Sequence, residues 1–110
     1  MSLKETNVID GVLLDEAAGN VILVMEDELG WVGGLEYTHL LQLQEKTNVY
    51  VAYVEEGTLY EEYEAAKGKP VLIEIRFLNA PTENGLKFIE VVNGILENTE
   101  ITLTYTVTEA

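Results

Sequence analysis

Apolar and polar positions alternate with two different periods along this chain, and the switches between periods mark its elements. Residues 7–14 (NVIDGVLL) and 21–26 (VILVME) are short runs rich in β-branched side chains. Residues 15–20 (DEAAGN) between them supply turn chemistry, with Gly19 free to take positive φ, so the pattern predicts a β-hairpin. Residues 27–34 (DELGWVGG) follow, and their glycines interrupt any regular element.

The period then changes. Leu40, Leu43, Thr47, Tyr50 and Val54 recur at alternating spacings of 3 and 4, flanked by Tyr37, Leu41 and Val51, which predicts a helix from Leu35 of roughly 21 residues and about 31 Å. Residues 47–54 have strand propensity, but their apolar positions do not alternate with polar ones. Gly57 is placed to end the helix. Residues 58–66 (TLYEEYEAA) predict a short second helix with Thr58 as N-cap and Leu59, Tyr63 and Ala66 turned inward. Gly68 and Pro70 break the chain again.

Over residues 71–78, Val71, Ile73, Ile75 and Phe77 alternate with Leu72, Glu74, Arg76 and Leu78, the period of a strand with one apolar face. A further helix is expected from Thr82, after Pro81, to Asn98, with Leu86, Ile89, Val92 and Leu96 on one side. Gly85 and Gly94 weaken it by about 1 kcal/mol each relative to alanine. Finally Ile101, Leu103, Tyr105 and Val107 alternate with Thr102, Thr104, Thr106 and Thr108, giving a core face and a threonine face. The expected fold is therefore a single α+β domain over residues 1–110: a two-layer ββαβαβ sandwich in which a four-stranded mixed sheet carries two main helices on one face. Right-handed crossovers favour a strand order of 2-1-3-4.

Composition narrows the role. A chain of 110 residues buries roughly 65% of its unfolded surface as one domain, and the 47% of hydrophobic residues supply a core. Twenty acidic side chains against 6 basic ones give a net charge of −14, which opposes binding to nucleic acid phosphates or anionic membranes and favours a basic protein partner. Cysteine is absent from the sequence, so disulfide, thiolate-metal and thiol-nucleophile chemistry are all excluded. The start of the chain lacks a basic, then apolar, leader pattern, and no apolar run reaches the roughly 20 residues of a membrane span. A cytoplasmic protein is expected.

Residues 39–54 (HLLQLQEKTNVYVAYV), 55–59 (EEGTL), 66–70 (AKGKP) and Pro81 before the second main helix resemble an uncharacterised family of small bacterial proteins. The resemblance spans most of the chain and rests on core, cap and turn positions, so it implies a fold but no activity, cofactor or catalytic residue. The chain departs from that pattern at the start of the long helix, where Gly33 and Gly34 replace more polar residues.

Few residues carry chemistry. Glu26, Asp27 and Glu28 are consecutive carboxylates, yet an extended segment turns neighbours to different sides and a hard cation needs six or more converging oxygens, so a solvated loop is expected and no metal. His39 has the side chain best suited to proton transfer, and Glu36 lies three residues earlier; without a nucleophile or oxyanion hole, a surface ion pair is expected. Trp31 is expected to plug the end of the core. The most unusual stretch is residues 53–64 (YVEEGTLYEEYE), where Glu55, Glu56, Glu61, Glu62 and Glu64 interleave with Tyr53, Tyr60 and Tyr63. Carboxylates steer a basic partner and tyrosines supply rigid contact area.

The role these features point to is a non-enzymatic acidic binding protein without a cofactor, of inhibitor or immunity type, using Glu55, Glu56, Tyr60, Glu61, Glu62, Tyr63 and Glu64. The alternatives are a homo-oligomeric module paired through the Thr102, Thr104, Thr106 and Thr108 face, and a small carboxylate/His enzyme with a divalent metal.

Overall fold

A computed structural model describes residues 7–108, in which the strands are β1 (Gly11–Asp15), β2 (Asn20–Asp27), β3 (Val71–Phe77) and β4 (Ile101–Val107). The helices are α1 (Glu36–Glu55), α2 (Thr58–Glu62) and α3 (Glu83–Ile95), with a 3-10 turn over Glu64–Ala66 after α2. The expected start without a leader falls largely on residues 1–6, outside the described residues. The ββαβαβ order and the four-stranded mixed sheet stand as read from the pattern.

Strand order differs from the expectation. The sheet runs β1-β2-β3-β4, with β1 antiparallel to β2 and the other neighbours parallel. β2 is apolar on both sides over Val21–Met25, with Val24 buried although it faces away from the helices. A strand of that kind belongs inside a sheet, whereas β1, which leaves Leu13 and Leu14 partly exposed, suits an edge. The hairpin closes as predicted, with Gly19 at φ 72° and its N–H donating to the Asp15 carbonyl at 2.8 Å.

One face of the sheet is covered. Val21, Leu23 and Met25 of β2, Val71, Ile73, Ile75 and Phe77 of β3, and Ile101 and Leu103 of β4 form a single cluster with Leu43, Tyr50 and Val54 of α1 and Ile89 of α3. The buried stripe of α1 is His39, Leu43, Lys46, Thr47, Tyr50 and Val54, rotated from the expected one so that two basic-type side chains enter the core while Tyr37 and Leu41 lie outside. Gly57, at φ 85°, ends α1 and serves as N-cap of α2, so Thr58 is the first helical residue and not the cap. Leu59 and Ala66 are fully buried as expected, but Tyr63 is exposed.

α3 begins as predicted, Thr82 Oγ1 accepting the Gly85 N–H at 3.2 Å, and stops at Ile95, short of Asn98. Leu86 faces solvent. Gly85 is required by packing: a Cβ there would lie 2.9 Å from Trp31 Cη2 and 3.0 Å from Pro81 Cβ. On β4 the core face runs out toward the strand's end, where Tyr105 and Val107 are partly exposed.

Candidate functional site

The C-terminal ends of the parallel strands β2 and β3 meet the N-termini of α1 and α3, the place where open α/β sheets most often present chemistry. Here Asp27 closes β2 on the covered face and turns inward, 1% exposed. Its Oδ1 accepts the Leu29 N–H at 3.0 Å, which turns the chain into the loop of residues 28–35. Its Oδ2 lies 2.5 Å from His39 Nε2. His39 Nδ1 lies 2.9 Å from the Gly30 carbonyl, and the ring stacks on Trp31 with centroids 3.6 Å apart. Each ring nitrogen thus faces an oxygen of the protein.

The expected surface pair of His39 with Glu36 is therefore corrected. His39 is 1% exposed, and Glu36 instead accepts from Asn84 Nδ2 at 3.3 Å. The acidic triplet is split by the strand's alternation: Glu26 lies on the bare sheet face, Asp27 is in the core and Glu28 is exposed at the rim. Among the described residues no group of His, Cys, Asp or Glu is arranged to hold a metal ion. Trp31 plugs the end of the core as expected, resting against Phe77 and donating from Nε1 to the Asn79 carbonyl at 3.3 Å. Asn79 in turn donates to the Leu29 carbonyl at 3.0 Å. Both nitrogens of His39 are thus engaged by the protein itself, and the cluster's geometry is that of a latch holding the 28–35 loop onto α1.

A second polar cluster was not anticipated. Lys46 Nζ lies 2.8 Å from Asp10 Oδ2, and both side chains are fully buried. The same oxygen accepts the Glu26 N–H at 2.8 Å. Next to it, the Tyr50 hydroxyl donates to the Val24 carbonyl at 2.5 Å and accepts the Asp10 N–H at 2.9 Å. Burial above all, with the Asp10 carboxylate adding to it, pushes the Tyr50 hydroxyl well above the usual tyrosine range. The available signal was spacing: His39, Leu43, Lys46 and Tyr50 share one helical face, and a lysine there within so acidic a chain requires a carboxylate.

The acid and tyrosine stretch lies at the far end of α1. Glu55, Glu56, Glu61, Glu62 and Glu64 are all exposed, Tyr63 is 40% exposed and Tyr60 is half-buried against the core. The Tyr53 hydroxyl donates to Glu62 Oε1 at 2.5 Å, tying α1 to α2. Burial and then that carboxylate hold the Tyr53 hydroxyl protonated well beyond its usual range. The fold thus brings all seven sequence-predicted binding residues to one end of the molecule, mounted on the buried Leu59 and Ala66.

The threonine residues sit on and just beyond an edge strand. Thr102 and Thr106 are exposed on the bare face, Thr104 is half-buried and Thr108 follows β4. The outward backbone of Leu103 is already occupied, since Asn93 donates to its carbonyl and accepts from its N–H, each at 2.8 Å. That clasp blunts the β4 edge against strand addition.

No helix among the described residues is long and apolar enough to cross a membrane. Neither the curated proteins nor the solved structures contain a match to this chain. The pattern of a family of unknown function, DUF6572, matches residues 1–109, and the chain belongs to that family.

Proposed function

We propose that this protein is a non-enzymatic binding protein of the inhibitor or immunity type, which docks a basic protein partner on the end formed by the last turn of α1, by α2 and by the 3-10 turn. The observation that carries the reading is the convergence of Glu55, Glu56, Glu61, Glu62 and Glu64, all exposed, around Tyr60 and Tyr63 on a rigid, buried base. Carboxylates raise the rate of encounter with a cationic surface, and tyrosines lengthen the life of the complex once water is excluded. The Tyr53–Glu62 hydrogen bond fixes α2 before binding, so little ordering cost falls on association.

The test is recovery of a basic partner from the native host, followed by binding kinetics with purified components. Changing Glu61, Glu62 and Glu64 together to glutamine is expected to slow association and flatten its salt dependence. Tyr60→Ala is expected to speed dissociation by the equivalent of about 1–4 kcal/mol. Charge reversal at Glu97 and Glu100, exposed residues after α3, is the control. If the control weakens binding as much as the glutamine changes do, the end is not a site and only the net charge of −14 matters.

A further inference from the structure

The helix layer has an outer surface that differs from the rest of the molecule. Between α1 and α3 run two adjoining depressions of about 380 and 280 Å³, which share Gln44, Phe88 and Val91 in their walls. On their rims Tyr37 is 72% exposed, Leu41 46%, Val91 57% and Ile95 75%. No Asp or Glu lines either depression, and Lys87 is the charged residue there. On a chain with 20 acidic side chains in 110 residues, two depressions without a carboxylate in their walls are a marked departure.

We propose that this α1/α3 face is a homodimer interface, covered by the same face of a second copy of the chain. Its four large exposed side chains alone present apolar surface on the order of 400–500 Å², comparable to the largest patch on an ordinary monomer. That is over half of the roughly 800 Å² each partner buries in a stable interface, before the polar rim is added. Charge selects the occupant. Two molecules of net charge −14 repel through most orientations, and contact through faces whose depressions hold no carboxylate keeps most of that charge apart. The bare sheet face is charged by contrast: it carries Glu26, Glu74 and Arg76, and its β4 edge is clasped by Asn93. This inference is independent of the acidic end, which lies on other residues.

Sedimentation velocity on the full chain across a concentration series at 0.15 M NaCl tests it, with a dimer of twice 12.3 kDa expected. Val91→Glu with Ile95→Glu, both at exposed positions, should weaken association by roughly 100-fold or more while leaving the circular dichroism spectrum unchanged. Lys87→Glu should weaken the dimer, because it sets a carboxylate on each of the two apposed faces. Thr104→Lys with Thr106→Lys should leave the dimer intact. A parent protein that is monomeric up to about 100 μM overturns the proposal, since standard interfaces associate well below that concentration. So does a dimer that survives the Val91 and Ile95 changes, or one dissolved by the threonine changes instead.

Discussion

His39 shows how a single residue changes meaning when its neighbours are known. With one nitrogen on a buried carboxylate and the other on a carbonyl, it holds two segments together. His39→Ala leaves the buried Asp27 carboxyl without its partner, a change expected to cost about 3–5 kcal/mol in chemical denaturation. Trp31, the sole tryptophan, stacks on the ring and reports the transition by fluorescence. A loss below about 1 kcal/mol would mean that the latch carries no weight. Tyr50 supplies a second test. Its hydroxyl is held protonated in the folded state above its usual value of 10.0, so folding retains a proton that the unfolded chain releases. Its contribution to stability is full below pH 10 and declines as pH rises beyond it. In Tyr50→Phe that alkaline loss should shrink, at the expense of about 1–3 kcal/mol at neutral pH from the Val24 carbonyl left without its donor. An unchanged alkaline profile would reject the assignment.

At the scale of elements, the two glycines of α3 look alike in sequence and differ in space. Gly85 sits against Trp31 and Pro81, so Gly85→Ala should destabilise by about 1–3 kcal/mol through overpacking, despite the better helix propensity. Gly94 is exposed, a methyl added there would meet nothing within 4 Å, and Gly94→Ala should stabilise by up to about 1 kcal/mol. Paired thermal melts decide the matter, because propensity alone requires both changes to act in the same direction. The same contrast explains why α1 starts without a side-chain cap. Its first turn is anchored by the His39 latch and by Asn84 on Glu36, contacts from other elements that substitute for local capping.

For the whole molecule, 20 carboxylates on one small body repel one another more in the compact state than in the extended chain. Screening should therefore stabilise the fold, and the melting midpoint at fixed protein concentration should rise from low salt to about 0.3 M NaCl. A falling midpoint would show that specific ion pairs outweigh the repulsion. The buried pairs Asp27–His39 and Asp10–Lys46 are screened little, so they do not set the sign of this effect.

Periodicity in the sequence was enough to determine the elements, their order and the covered face of the sheet, because a period of two or of 3.6 is itself the geometry of a strand or a helix. The alternation from Ile101 to Val107 and from Val71 to Phe77 states which side is core wherever those strands lie. Glycines at Gly19 and Gly57 were equally legible, since positive φ is a local requirement. The acid and tyrosine stretch stayed together in space because it is contiguous in the chain. What only the tertiary structure decided depends on partners distant in sequence. Asp27 and His39, 12 residues apart, meet because β2 ends where α1 begins, and Asp10 and Lys46 meet where the start of the hairpin passes under α1. Strand order and the apolar face between α1 and α3 are of the same kind. Each is a relation between elements, set by how they pack, and no window along the chain contains both sides of it.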